Sequence, residues 1–444
     1  MRYKFLLPVI ALFIQTSASA GNGIAPDSKE VVIALIDTGI DTSETKILNL
    51  LKRDSKGDIA GWNFLGNRDN THNPSSIGKE SFRIMQLFHE KYSNVADTAG
   101  LSGEEKTEYL NYRFFRSRAR IDVYVEFAKL LEYNNNAFNY MDSVIVSQKG
   151  NNDIRIADLN SIDYSMIPDS METPLSQVMS ECTKALYSGK TMWKEALENT
   201  RQEFNLSVQR ISSLGNPRSN PRFSLDDDPY DFGNLNYGND NVFAAPNENA
   251  TAILSILESY DNSSSSSPMK VLPLRVAAAG EAFDKDIYAA ILYAAHNGAD
   301  IILIPQAKEY SLHGAKLTEA LAYAGSKGIT VVVGAGDSSM EINEQNAVPC
   351  AIYNGERLEN VIRVGALDNE GKRLKGANHG AVDVFVTGVS ADVSGSGVAA
   401  ANVAGALYVM LSSDPGLSPE ELRVMAKKLD GKLSNVESLA GTIK

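Results

Sequence analysis

A carboxylate at the end of a predicted strand is the first candidate for chemistry. Residues 31–36 form a continuous apolar run rich in β-branched side chains, and the run ends abruptly at Asp37, Thr38 and Gly39. Such a run is typical of a strand buried on both faces, and polar residues directly after it are typical of a functional loop. The carboxylate of Asp37 can accept hydrogen bonds from Thr38 and neighbouring groups, or it can contribute to acid–base chemistry.

Alternating strands and helices from about residue 242 must position this loop. The apolar runs predict strands at 271–276, 301–304 and 329–333. The helical periodicity predicts helices around 253–260, 287–298 and 317–324. Repeated βα units of this kind imply a parallel sheet with helices on both faces.

The stretch between these parts has a different character, since it is polar, helical and rich in Asn, Ser and Asp. Ser102 and Glu105 form a capping-box pattern that predicts a long helix. The apolar residues predicted to lie on one face of that helix are Leu110, Phe114, Ile121 and Val125. The predicted organisation is a signal peptide at 1–20, a core at 21–73 and 242–432, a helical and loop insertion at 74–241, and a tail at 433–444.

The amino-acid composition of the chain limits the classes of molecule that it is expected to bind. The chain has 444 residues, of which 43% are hydrophobic and 22% charged, as in an ordinary globular protein. Acidic residues outnumber basic ones by 55 to 42, giving a net charge of −13. Because nucleic-acid binding needs a clustered positive surface, no nucleic-acid partner is predicted. No cofactor or metal site is predicted either, and the acidic run at 226–228 is interpreted as a solvated turn because it lacks the spacing of a calcium loop.

The first twenty residues are typical of a signal peptide. Arg2 and Lys4 precede a mostly apolar run at 5–14, and the small residues Ala18 and Ala20 fit a cleavage site after Ala20. We therefore expect an exported protein, periplasmic or extracellular, with no membrane span. Export permits a disulfide, but the sequence leaves open whether Cys182 and Cys350 are bonded.

Several blocks of the sequence resemble the subtilases, the subtilisin-like serine peptidases. The stretch 32–41 closely resembles their aspartate motif, and 61–67 looks like the stretch that follows it in secreted bacterial members. Further similar blocks, in the same order, lie at 270–275, 295–302, 360–366, 395–405 and 417–421. The 74–241 insertion resembles one in a subset of Bacteroidetes-type subtilases. The resemblance implies a three-layer α/β/α fold with a mostly parallel sheet.

The resemblance also identifies the positions that would carry peptidase chemistry. A subtilase uses an aspartate, a histidine and a serine, and an asparagine helps to bind the oxyanion. Asp37 matches the aspartate. The histidine position is Asn247, or Asn249 if the alignment slips by two, the serine position is Gly397, and the oxyanion position is Asp337.

These replacements predict a protein without serine-peptidase activity. An asparagine amide is not a base at neutral pH, glycine carries no nucleophile, and an ionised aspartate repels an oxyanion. The strand that pairs with substrate in the family ends here with Pro305, which has no amide hydrogen to donate. We therefore expect an exported pseudopeptidase that binds an unidentified protein or peptide. The alternative is an active endopeptidase or other hydrolase, with Ser394 or Ser396 as a displaced nucleophile or with an Asp37/Asp337 pair.

Overall fold

The computed structural model describes residues 30–41, 45–165, 167–168, 170, 172–225, 227–243, 249–261, 267–391 and 393–431. The predicted signal peptide, the predicted tail at 433–444 and Asn247 lie outside the described residues.

The strands are mostly short and are, in chain order, β1 (Val31–Asp37), β2 (Trp62–Asn63), β3 (Ser76–Gly78), β4 (Met269–Arg275), β5 (Ala279–Gly280), β6 (Ile301–Ile304), β7 (Thr330–Gly334), β8 (Glu341–Ile342), β9 (Ile352–Tyr353), β10 (Glu356–Arg357), β11 (Val361–Leu367), β12 (His379–Gly380) and β13 (Val384–Thr387). The α-helices are α1 (Thr45–Leu48), α2 (Glu80–Tyr92), α3 (Gly103–Arg118), α4 (Ile121–Lys149), α5 (Glu172–Tyr187), α6 (Trp193–Ser212), α7 (Asn249–Glu258), α8 (Asp284–His296), α9 (Gly314–Ser326), α10 (Ser396–Ser413) and α11 (Pro419–Lys427). Short 3₁₀ helices lie at Ile156–Ser161, Pro217–Ser219 and Pro221–Ser224.

A parallel sheet organises the core. Its strand order over the described residues is β13-β11-β7-β6-β1-β4-β2, and each neighbouring pair is parallel. The chain places β4 on one side of β1 and then β6 on the other, so the direction of strand addition reverses at β1. In parallel α/β sheets, such a reversal opens a crevice at the carboxyl ends of the strands.

Helices cover both faces of this sheet, as the βα alternation predicts. On one face, the apolar side of α10 packs with α7 and α11 against alternate residues of β1, for example Ile33 and Leu35. On the other face, α8 and α9 pack against the opposite set, for example Val32 and Ala34. The core is therefore a three-layer α/β/α arrangement, and every residue of β1 is buried.

Helix α10 lies at the centre of one layer. Although the sequence predicts no membrane span, this helix is, among the described residues, the one that is long and apolar enough to cross a membrane. It is 72% buried inside the protein, and its small residues Ala399, Ala400 and Ala404 belong to the core. Its apolar character is therefore explained by its place in the core.

The region between β3 and β4 is largely helical, but the one long helix predicted after Ser102 is two helices. Helix α3 begins at the predicted capping box and ends at Arg118, and α4 begins at Ile121. Between them, Arg120 adopts the left-handed conformation, with φ of 56°. The buried residues of α3 are Tyr109 and Tyr112, not the predicted Leu110 and Phe114, which are exposed.

Buried ion pairs join the end of this helical region to the core. Arg222 contacts Asp227 and Asp286 at 2.7 Å each, and Lys285 contacts Asp227, with all four side chains fully buried. The prediction of a solvated turn at 226–228 is therefore wrong for Asp227. Asp286 and Lys285 belong to the first turn of α8. A buried network of this kind is costly to break, so it fixes the helical region to α8.

The two cysteines are not bonded to each other. Cys182 lies in the apolar cluster of the helical region, where burial raises the pKa of its thiol to about 12. Cys350 is half-buried in the core and contacts the carbonyl oxygen of Glu344.

Candidate functional site

The site candidates meet at the carboxyl edge of the sheet, next to the strand-order reversal. Asp37 is the last residue of β1, and Pro305 and Gln306 directly follow the neighbouring strand β6. Asp337 follows β7, the next strand along. Parallel strands bring their carboxyl ends to one edge, so residues more than 260 positions apart come into contact.

The carboxylate of Asp37 is held by neutral amides. One oxygen, Oδ1, accepts hydrogen bonds from the Thr38 backbone at 2.8 Å and from the Gln306 side chain at 2.9 Å. The other, Oδ2, accepts one from Asn249 Nδ2 at 2.8 Å. Asp37 is 2% exposed, so these donors replace hydration that burial removes. The expected hydrogen bond from Thr38 is therefore present. The side-chain amides of Asn249 and Gln306 donate two more hydrogen bonds to the same carboxylate.

Asn249 occupies the place that faces Asp37. It is the first residue of α7, and its neighbour Ala250 donates its backbone N–H to the Thr38 hydroxyl at 3.3 Å. Of the two residues predicted for the histidine position, Asn249 therefore contacts Asp37. Asn247 cannot be compared, because it lies outside the described residues.

Asp337 caps the core helix α10. Its two carboxylate oxygens accept the backbone N–H of Ser396 at 3.0 and 3.1 Å, and Oδ2 also accepts the Ser396 hydroxyl at 2.9 Å. The same hydroxyl accepts the Gly336 N–H at 3.0 Å. A carboxylate at a helix N-terminus satisfies unpaired N–H groups and complements the helix dipole. Asp337 therefore has a structural partner of its own, separate from the amides that hold Asp37.

The glycine that precedes α10 makes room for this contact. Gly395 has φ of 137°, which side chains rarely adopt, and a Cβ there would lie 2.8 Å from Asp337 Oδ2. Both the positive φ at position 395 and the closeness of Asp337 therefore require glycine there.

Gly397 packs closely against the end of β6. A Cβ built at Gly397 would lie 3.2 Å from both Cβ and the carbonyl oxygen of Pro305. This separation is tighter than ordinary van der Waals contact, so a side chain at position 397 would require Pro305 to shift. The two replacements, glycine in the helix and proline after the strand, therefore fit each other sterically.

A small cavity adjoins this arrangement. It has a volume of about 20 Å³ and is lined by Asp37, Gln306, Glu281 and Lys308. That volume holds about one water molecule and is too small for a substrate side chain.

Three of the five histidines have side-chain contacts with residues outside this site. His89 hydrogen-bonds the Tyr112 hydroxyl at 3.1 Å, and burial together with Arg116 lowers the pKa of His89. His296 lies 3.3 Å from the Tyr323 hydroxyl, and the ring of His313 packs on Tyr230 and Phe232. His379 belongs to β12, while His72 lies in the loop before β3.

The segment after β6 connects the site to the helical region. Gln306 contacts Asp37, and three residues later Glu309 forms an ion pair with Arg118 of α3 at 2.5 Å. Burial acts to raise the pKa of Glu309, but hydrogen bonds from Ser338 and Arg118 outweigh it, and the pKa lies below its ordinary value. The adjacent ring of Tyr310 packs edge-on against Phe114 and Phe115 of α3. One short segment thus contacts both Asp37 and α3.

The sequence does not predict the contact of Gln306 with Asp37 or that of Ser396 with Asp337, and it indicates Ser396 only as a possible nucleophile. A polar residue directly after a predicted buried strand is a signal that could have identified Gln306, since site residues of parallel sheets gather there. The role of Ser396 as the group bonded to Asp337 has no comparable local signal.

The fold and the site together define an open parallel α/β protein with a polar, amide-rich site at the strand-order reversal. Residues 261–429 match the model of the subtilase family. This match agrees with the resemblance of the sequence to the subtilases, and the fold is the three-layer, mostly parallel arrangement that the resemblance implied.

Solved structures similar to this chain are also subtilisin-like or other proteases. One, described as proteases from Pseudoalteromonas arctica, is 21% identical, with a TM-score of 0.33, over 39% of this chain and 63% of that one. A cold-adapted subtilisin-like serine proteinase is 20% identical, with a TM-score of 0.33, over 38% of this chain and 63% of the other. The prenylagaramide maturation protease PagA is 23% identical, with a TM-score of 0.30, over 36% and 61%. The chain thus spans less than two thirds of the length of these proteins.

Proposed function

We propose that this protein is a catalytically inactive subtilase-like protein that acts by binding another protein or a peptide. The observation that carries the proposal is the bonding of Asp37. Its carboxylate accepts two side-chain amides, from Asn249 and Gln306, where a subtilase would place an imidazole. An amide does not take up a proton near neutral pH, so a nucleophile at this site has no base.

The other two positions support the same proposal. Gly397 offers no hydroxyl, and its contact with Pro305 leaves little room for one. The negative charge of Asp337 occupies the N-terminus of α10, where an oxyanion would need donors. Loss of one such donor costs about 2.7–4 kcal/mol of transition-state stabilisation, and a carboxylate adds repulsion.

A displaced serine is a weaker candidate. Ser396 is 1% exposed and its hydroxyl already donates to Asp337, so a substrate carbonyl cannot approach it without rearrangement. Ser394 is exposed, but the structure gives it a backbone bridge with Val389 and no side-chain bond to a described base. An acidic pair of Asp37 and Asp337 is disfavoured because each carboxylate has its own donors.

The proposal includes export and a polypeptide partner. Export rests on the sequence pattern of residues 1–20. A polypeptide partner is supported by the exposed apolar side chains on α3, α4 and α6.

Hydrolysis assays test the loss of activity. The protein starting at residue 21 is incubated with casein and with a fluorogenic peptide library, beside an active subtilase as a positive control. We expect no turnover. Turnover that disappears in Ser394→Ala, Ser396→Ala or Asp37→Asn would overturn the proposal, because each variant removes a group on which the alternative mechanisms depend.

A further inference from the structure

A second small cavity lies at the carboxyl edge of the sheet, beside the cavity that adjoins Asp37. It has a volume of about 10 Å³, and its lining comes from the segments after β6 and β7 and from the loop between β8 and β9, including Lys308, Glu309, Ala335, Met340, Ala347 and Val348. Lys308 lines both cavities. The segment after β6 is therefore a wall that the two cavities share.

The side chain of Glu309 spans the gap between the segments after β6 and β7. Its Oε1 atom accepts a hydrogen bond from the Ser338 hydroxyl, and its Oε2 atom lies 2.5 Å from Nη2 of Arg118. Glu309 follows β6, Ser338 follows β7, and Arg118 is the last residue of α3. The Glu309 side chain is 28% exposed, whereas Ala335 and Ala347 in the lining are each 4% exposed. Glu309 therefore lies on the solvent side of the cavity, where it joins the carboxyl ends of two strands to the helical region.

Helix α3 also holds the residue next to Glu309. The ring of Tyr310 lies edge-on to Phe114 and Phe115, with ring centroids 5.7 and 5.1 Å apart. The guanidinium of Arg118 lies 5.8 Å from the centre of the same ring. Helix α3 in turn packs on α2 through a shared apolar cluster. The position of Glu309 is therefore set by the helical region as well as by the core.

The bonds of Glu309 differ in kind from those of its neighbour Lys308. Lys308 is 8% exposed and its ammonium contacts Asp284 at 2.6 Å, and a buried pair of this kind is costly to break. Arg118 is 44% exposed, and exposed pairs contribute little to stability and are screened by salt. Glu309 can therefore be released while Lys308 keeps the segment in place. We propose that Glu309 is a latch, which closes the cavity while it is bonded to Arg118 and Ser338 and opens it on release.

Alkylation of a cysteine placed in the cavity tests the latch. Ala347→Cys is made in the protein starting at residue 21, and its reaction with iodoacetamide is followed by peptide mass spectrometry, which separates it from the two native cysteines. We expect slow reaction, and a rate about tenfold higher or more when Glu309→Ala is added, because access to a buried thiol depends on local opening. Glu126→Ala, which removes a carboxylate from an exposed ion pair within α4, is the matched control and leaves the rate unchanged. Circular dichroism of each variant checks that the fold is retained.

Salt gives a second readout that leaves Glu309 unchanged. Raising the salt concentration from about 0.05 M to about 1 M screens exposed ion pairs. It should therefore speed the alkylation of Ala347→Cys. The same protein with Arg118→Ala has no pair to screen at the latch, so its alkylation rate should be higher from the start and should respond less to salt.

Three results would overturn the inference. They are equal alkylation rates with and without Glu309→Ala, rapid alkylation of Ala347→Cys while the latch is intact, and an equal salt response with and without Arg118→Ala. The inference rests on the proposed function, in which α3 then controls the access of a polypeptide to the carboxyl edge of the sheet. The two failures are distinguishable, because hydrolysis of casein by Glu309→Ala would contradict the proposed loss of activity and leave the latch standing, whereas equal alkylation rates would do the reverse.

Discussion

The side-chain nitrogen of Asn249 lies 2.8 Å from the Oδ2 atom of Asp37, at the first residue of α7. On the opposite side, Gln306 donates to Oδ1 at 2.9 Å. A buried carboxylate is stable only when its charge receives hydrogen bonds, and two amides with one backbone N–H supply them here. Asp37 therefore has a structural function in this protein whether or not it takes part in chemistry.

Removing the Asn249 amide should destabilise the protein. We expect Asn249→Ala to lower the free energy of unfolding by about 1–3 kcal/mol, because it removes a hydrogen bond from a buried carboxylate. Asn249→Asp should cost more at neutral pH, since it places a second negative charge beside Asp37. Urea unfolding measures both, and Asn205→Ala, an exposed position on α6, is the control. An unchanged midpoint in Asn249→Ala would show that the bond contributes nothing.

The contact between Asp337 and Ser396 should stabilise α10. Asp337→Ala removes the carboxylate that accepts the first backbone N–H of the helix, and helix-capping residues contribute about 1 kcal/mol. Asp97→Ala is the matched control, because Asp97 is an exposed loop carboxylate that accepts the Ala99 N–H. Thermal unfolding of the two variants gives the comparison. Equal melting temperatures would contradict a capping role for Asp337.

Restoring a hydroxyl at Gly397 alone should cost stability without creating activity. Gly397→Ser forces the new Cβ against Pro305, and overpacking of this kind costs about 1–3 kcal/mol. Gly103→Ser, also in the first turn of a helix but with open space around it, is the control. Unfolding curves and peptide hydrolysis are measured on both variants. Hydrolysis by Gly397→Ser would mean that a base reaches position 397 after all.

The buried carboxylate of Asp284 should make stability depend on pH in the acid range. Burial acts to raise its pKa, but Lys308 at 2.6 Å and two further hydrogen bonds, from Ser311 and the His313 backbone, outweigh it, so the pKa lies below its ordinary value. A lowered pKa contributes stability that is fully present above the unfolded value, about 3.9, and is lost as the pH falls through the folded value.

The variant Asp284→Asn tests this dependence. At pH 7 the variant should be less stable than the wild type by about 3 kcal/mol, because the buried ammonium of Lys308 loses its contact with a carboxylate. Between pH 5 and pH 3 the variant should lose less stability than the wild type. Chemical unfolding at a series of pH values gives both quantities. Asp153→Asn, from an exposed pair with Lys194, should follow the wild type. Parallel pH curves for the wild type and Asp284→Asn would exclude the effect.

The core of the fold could be predicted because its signals are local. The run at 31–36 becomes β1, and the predicted strand at 301–304 matches β6 residue for residue. Asp37 could be identified as a site candidate for the same reason, since it directly follows such a run. Buried strands of a parallel sheet are continuous apolar segments, and this pattern requires no knowledge of the partners.

The contacts of the site could not be predicted, because they join distant parts of the chain. Gln306 and Asp37 are 269 positions apart, and Asp337 and Ser396 are 59 apart. In the helical region, no glycine or proline lies at the break at Arg120. The sequence therefore predicts α3 and the start of α4 as one helix. The face of α3 was then assigned wrongly, since Tyr109 and Tyr112 are buried by packing that no local periodicity specifies.

Labelling with a fluorophosphonate tests the central claim most directly, because the reagent reacts with a serine only where a base and oxyanion donors activate it. The purified protein starting at residue 21 is treated with the reagent and its intact mass is measured, beside Ser394→Ala and Ser396→Ala. The account predicts no adduct on the wild type under conditions that label an active subtilase completely. A stoichiometric adduct on the wild type that is absent from either serine variant would contradict it.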